Sequence, residues 1–148
     1  MPAFPTDIAA VLAEPEGQQL AFVRRAFRTD ELAETLAALA NAQGGLVLVG
    51  VSGRGQKLEG VADAAAARLA ALDAALACTP PLVLPLPESA PIGDIMVLAL
   101  AVPAGLPHVY SVHGKYLRRA GATNQPIPPD ALRKLLLERG AHRRPVYT

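Results

Sequence analysis

The sequence offers one cysteine, Cys78, and no tryptophan. A lone thiol excludes an intramolecular disulfide and a cysteine-based zinc site. Aromatic residues make up 4% of the chain, which argues against a module that stacks several bases on aromatic rings. The three histidines, His108, His113 and His142, show no i, i+4 pair and no cysteine or acidic pair beside them, so no zinc site is expected. No run approaches the roughly 20 apolar residues of a membrane span, and the first residues carry no basic-then-apolar leader. The expectation is a cytoplasmic protein with no membrane partner. Phosphate loops are missing as well. Gly53-Arg54-Gly55 lacks a third glycine at the dinucleotide spacing and opens no helix, and no Walker pattern occurs. A hairpin turn accounts for it better. Ser52, Ser89 and Ser111 have no nucleophile-elbow context, and Cys78 reads as a small buried hydrophobe. No cofactor is expected.

What is present is apolar. The chain has 148 residues, 51% hydrophobic and 18% charged, enough to build a core without disulfides. One domain over residues 1–148 is expected, with a core at about 14–137 and a basic end at 138–148. The net charge of +1 conceals a split. Residues 1–114 carry a balance of −5 and residues 115–148 one of +6. Such asymmetry points either to a polyanion-facing surface or to a solvated basic helix.

Periodicity and punctuation place the elements. A short helix is expected at 6–13, capped by Thr6 or Asp7, and a first strand at Gln19 to Arg24 with Leu20 and Phe22 on one face. A helix from Asp30 to Asn41, capped by Thr29 or Asp30, carries the stripe Leu32, Leu36, Leu39 and Ala40, and Gly44-Gly45 ends it. The apolar run 46–51 reads as a central strand covered on both faces, with residues 56–61 returning beside it. An Ala-rich helix at 63–77, a proline-broken edge strand at 82–86 and a strand at Ile95 to Val102 follow. A hairpin turning at His113-Gly114 leads into a strand at Tyr116 to Arg119. A loop at Gly121 to Pro129 and a last helix at Asp130 to Arg139 close the pattern. The fold class is α+β, a mixed sheet of about five or six strands flanked by three or four helices.

The cations mark a candidate site. Arg24, Arg25 and Arg28 follow the first strand. Arg54 and Lys57 flank the tight hairpin, and Lys115, Arg118 and Arg119 lie on the later one, with Asn124 beyond. All lie near turns or strand ends. If the sheet gathers them, they form a cationic strip suited to phosphates. The competing reading is scattered solvated charge, or partners for Glu31, Glu34 and Glu59. Arg118 and Arg119 are adjacent on a strand, so only one can point to each face.

The run Leu39-Ala40-Asn41-Ala42-Gln43-Gly44-Gly45-Leu46-Val47-Leu48-Val49-Gly50-Val51 resembles the signature of the Schlafen AlbA-like domain. Leu58-Glu59-Gly60-Val61 is similar to that family's hairpin return, and Leu98 to Pro103 to a later strand. Pro107-His108 with Gly114-Lys115-Tyr116-Leu117-Arg118-Arg119-Ala120-Gly121-Ala122-Thr123-Asn124 is similar to its arginine-bearing block. The likeness runs over about residues 14–137. It implies a compact α/β domain that binds nucleic acid, often in bacterial transcriptional regulators. Some Schlafen relatives are metal-dependent RNases that use three carboxylates. Glu16 matches the first. Ala21 stands at the second, Ser52 or Gly53 near the third, and Val23 at a lysine. The resemblance therefore implies binding without catalysis and no metal. It favours Arg118 as the site-facing arginine, against the alternative of a structural ion pair.

The leading expectation is a non-catalytic, regulatory nucleic-acid-binding domain that contacts DNA or RNA phosphates with little base readout. One alternative is a diverged metal-dependent RNase. Another is a protein-protein or self-association module, a homo-oligomer among its forms, docking through the Pro-rich 79–92 segment.

Overall fold

The computed structural model describes residues 8–52 and 57–140. The expected caps Thr6 and Asp7, the turn with Arg54, and the basic residues from 141 onward lie outside them. The order is α1 (Ile8–Leu12), β1 (Leu20–Val23), α2 (Thr29–Ala40), β2 (Gly45–Val49), β3 (Val51–Ser52), β4 (Lys57–Leu58), α3 (Ala64–Leu76), β5 (Glu88–Ile92), β6 (Ile95–Val102), β7 (Leu117–Ala120), β8 (Thr123–Pro126) and α4 (Pro129–Gly140).

The main sheet has the order β1-β2-β6-β5. β1 runs parallel to β2, and β6 is antiparallel to both β2 and β5. The apolar run therefore does lie centrally, and both its faces are covered. Val47 and Val49 point into one core with Ala21, Leu98, Leu100 and the inner faces of α2 and α3. Leu48 points into another with Leu20, Phe22, Val97, Ala99 and Ile8 of α1. The result is an α+β layering with two helices on one face of the sheet and one short helix on the other.

The switch from α2 to β2 is abrupt because two glycines permit it. The Gly44 N–H closes the helix onto the Leu39 carbonyl at 2.8 Å, with φ at +71°. A Cβ there would meet the Val102 carbonyl oxygen at 2.5 Å. No other residue fits both the left-handed backbone and the close approach.

Three expectations need correction. The run 46–51 is not one strand, because Gly50 turns it at φ +102° and its carbonyl accepts the N–H groups of Glu59 and Gly60, each at 2.8 Å. β3 and β4 then pair as a separate ribbon. The edge strand is Glu88–Ile92, not 82–86. Residues 82–86 instead run back along α3, with the Leu82 N–H on the Ala75 carbonyl at 3.0 Å and the Arg68 Nε on the Pro87 carbonyl at 3.0 Å. Pro91 is tolerated in β5 because the strand is outermost and its missing N–H faces away from the ladder. The segment from Gly121 is not all loop. Thr123–Pro126 pairs with β7 as a hairpin, and the His113-Gly114 turn is closed by the Val112–Lys115 bridge.

Candidate nucleic-acid interface

The β1–α2 loop leaves the sheet beside Gly50, whose N–H donates to the Val23 carbonyl at 2.8 Å. Phe27 tucks against the α2-side core and anchors the loop. Arg24, Arg25 and Arg28 around it stay exposed. The nearby acids are engaged by backbone instead. Glu31 Oε1 accepts the Arg28 N–H at 2.9 Å and so caps α2, and Glu59 Oε1 accepts the Arg25 N–H at 3.2 Å. The ion pairs among the described residues are His113–Asp30, Lys115–Glu34, Arg119–Glu16 and Arg133–Asp130. None uses a guanidinium of this loop. Val23, Arg24, Phe27, Glu31, Thr35 and Ser52 line a cleft of about 280 Å³ beside it. Lys57, exposed on β4, pairs across the ribbon with Ser52 and adds a cation on that side.

The later hairpin is different. Arg119 faces inward and is 5% exposed. Its Nε donates to the Gly17 carbonyl at 2.9 Å, Nη1 to Asn124 Oδ1 at 3.0 Å and Nη2 to the Leu20 carbonyl at 3.0 Å. Glu16 Oε1 lies 3.7 Å from Nη2 and accepts the Phe22 N–H at 2.8 Å. Burial pulls the Arg119 pKa down, while the Glu16 carboxylate opposes that. Each guanidinium nitrogen donates a hydrogen bond, so Arg119 fastens the segment before β1 to the β7–β8 hairpin. Asn124 belongs to the same arrangement, donating its Nδ2 to Thr35 Oγ1 at 3.0 Å. Arg119 is buried and Asn124 half-buried, and both are engaged by these contacts. Lys115 is exposed but sits 2.6 Å from Glu34 Oε2.

Arg118 points the other way, as strand alternation demands. It is exposed and lines a groove of about 340 Å³ with Asn41, Ile127, Ala131, Lys134 and Glu138. The expected strip is thus two patches. One, at the N-terminal end of α2, holds Arg24, Arg25, Arg28 and Lys57. The other, near its C-terminal end, holds Arg118 and Lys134. Lys134 escaped the sequence reading, because only the docking of α4 brings it to Arg118. Asn41, at the end of α2, is a buried clip. Its Nδ2 donates to the carbonyls of Tyr110 and Leu117, both at 2.8 Å, and its Oδ1 accepts the Tyr110 N–H at 2.8 Å. Arg139 fastens α4 in turn, donating Nη1 to the His108 carbonyl at 2.6 Å.

Glu16 is engaged by Phe22 and Arg119, and Ala21 is buried in the core. Among the described residues, no three His, Cys, Asp or Glu side chains come together.

A four-stranded mixed sheet, two helices on one face and an arginine loop at the mouth of β1 define the class: an α+β domain of the AlbA-like kind. The chain belongs to the Schlafen AlbA_2 family, whose model matches residues 16–128. No curated protein matches it. Among solved structures it resembles the DIP2311 protein of Corynebacterium diphtheriae, with a TM-score of 0.66 and 18% identity over 89% of this chain. The chain spans only 28% of that protein. It also resembles the N-terminal domain of a RecG-related protein from Nitrosomonas europaea, with a TM-score of 0.57 and 21% identity over 80% of this chain and 88% of that one. At these identities the likeness is one of fold. No described helix is long and apolar enough to cross a membrane.

Proposed function

We propose that this domain binds nucleic acid through its phosphates and does not cut it, serving a regulatory role in a larger process. The observation that carries the reading is the β1–α2 loop. Three arginines within five positions stand exposed, with the adjacent glutamates occupied by backbone N–H groups rather than by guanidinium groups. Free guanidinium groups held on a short anchored loop are suited to phosphate oxygens, which they can take two at a time. Arg118 and Lys134 supply a second point of contact. The RecG-related neighbour, named for an ATP-dependent DNA helicase, is consistent with a nucleic-acid setting.

Salt dependence tests the reading. Anisotropy titrations with labelled duplex DNA and single-stranded RNA should show log affinity falling linearly with log salt, with a slope near −0.9 per phosphate neutralised on duplex. A salt-insensitive affinity would remove the electrostatic account. Catalysis is tested separately. Labelled RNA incubated with Mg²⁺ or Mn²⁺ should stay intact. Cleavage that is lost on Glu16→Gln and on chelation would place the chain with the RNases instead.

A further inference from the structure

Six large apolar side chains are exposed among the described residues, and four of them lie on one face. Leu69 (65% exposed) and Leu76 (58%) stand on the outer side of α3. Val83 (78%) and Leu86 (69%) stand on the segment that runs antiparallel along the same helix, pinned to it through Leu82 and Arg68. The inner side of α3 is spent on the core through Ala71, Ala74 and Ala75. Leu82, between the exposed residues, is buried as well. The outward residues are therefore not the edge of a core that continues elsewhere.

The outer face of α3 is uneven along its length. Its N-terminal half presents Ala65 and Ala66, and there a groove of about 370 Å³ opens between α3 and the β1–α2 loop, floored by Ala62, Ala66, Ala67 and Ala70. Its C-terminal half presents Leu69 and Leu76, with the half-buried Leu72 between them. Small residues at one end and large ones at the other are complementary to themselves only when the helix is reversed. If two copies of α3 cross antiparallel, centred between Ala70 and Ala71, Leu76 comes opposite Ala65 and Leu69 opposite Leu72. A parallel crossing would set Leu76 against Leu76 and leave alanine facing alanine across a gap.

We infer that this face is a two-fold interface between copies of this chain, with α3 packed antiparallel on α3 and Val83 and Leu86 flanking it. Area supports the occupant. The four exposed side chains, Leu72 and the outer alanines leave roughly 600 Å² open per copy, so a two-fold contact hides on the order of 1,200 Å², the lower bound of stable interfaces. A patch of that size lies at the upper end of what monomers leave bare. Charge does not oppose it, because the same antiparallel crossing that sets Leu76 opposite Ala65 sets Asp73 opposite the half-buried Arg68. The inference does not use the nucleic-acid reading, although Arg25 of the β1–α2 loop lines the same groove.

Sedimentation and light scattering on the chain, from low to high micromolar concentration, should give twice the chain mass. Leu69→Arg and Leu76→Arg should each return the monomer with an unchanged thermal midpoint, since both side chains are already exposed. Leu137→Arg on α4 should leave the dimer intact. Mixing an Ala65→Cys chain with a Leu76→Cys chain under mild oxidation should trap a disulfide-linked pair, whereas Leu76→Cys alone should not link to itself. A monomer at every concentration overturns the inference, as does a dimer indifferent to both leucine substitutions. A Leu76–Leu76 cross-link overturns the antiparallel arrangement.

Discussion

The β1–α2 loop and the β7–β8 hairpin carry the same residue type to different ends. In the loop, Arg24, Arg25 and Arg28 face water with no ion pair among the described residues. In the hairpin, Arg119 spends its guanidinium on two carbonyls, an amide oxygen and a carboxylate, and Lys115 is held by Glu34. The difference lies in the environment of each donor and not in its charge. A loop that ends in a helix cap hands its acids to backbone N–H groups and leaves its guanidinium groups over. A strand that alternates its faces must bury one of two adjacent arginines, and the buried one has to be fully satisfied.

Substitutions separate the two regions. Arg119→Ala should cost about 3 kcal/mol in urea unfolding, because it leaves Glu16, Asn124 and two carbonyls short of a donor in a closed space. Arg119→Lys should recover only part of this, since an ammonium cannot reach the same fork of acceptors. A loss below about 0.5 kcal/mol would show that Arg119 is no fastener. The loop should behave in the opposite sense. Arg24→Ala, Arg25→Ala and Arg28→Ala should each stay within about 0.5 kcal/mol of the parent stability. Together they should flatten the salt slope by about 0.9 for each phosphate no longer neutralised. Unchanged affinity with lowered stability would merge the two regions into one structural class. Lys115→Ala tests an intermediate case, and its exposed pair with Glu34 should be worth no more than about 1 kcal/mol by a double-mutant cycle.

The core supplies a further test. Burial pushes the Cys78 thiol up to about 11 from its ordinary 9.0. A pKa raised in the folded state gives stability that is fully present below about pH 9 and fades as pH climbs through 11. Native protein at pH 9 should therefore resist iodoacetamide, while urea-unfolded protein reacts. Equal rates would mean that the α2–α3 core is open at Cys78.

Legibility in the sequence followed the same divide. The strand Ile95–Val102 and the helix ends at Gly44 and Asp63 were readable, because an uninterrupted apolar run and a capping residue are local signals. Asp63 indeed accepts the Ala66 N–H at 3.1 Å. The edge strand was misplaced because Val83 and Leu84 look more strand-like than Ser89 and Pro91. What decides it is pairing with β6, which a proline-bearing outer strand still manages. The β7–β8 hairpin hid inside a Gly/Asn/Pro-rich stretch. In the candidate site, the exposed loop arginines were readable from their position after a strand. The inward turn of Arg119 was not, because alternation says that one of a pair is buried without saying which. The family likeness leaned toward Arg118, and the fold puts Arg118 on the outer face.

The outer strand β5 has a consequence for how this protein behaves in bulk. A bare sheet edge is a template on which further strands can add without limit, which is how fibres begin. Here the edge carries Pro91, which has no N–H to offer, and Glu88, whose charge would stack on its own kind in any such growth. The pairing edge of β5 is thereby blunted. A two-fold contact of the kind inferred above stops at two copies, so neither it nor the β5 edge offers growth without limit.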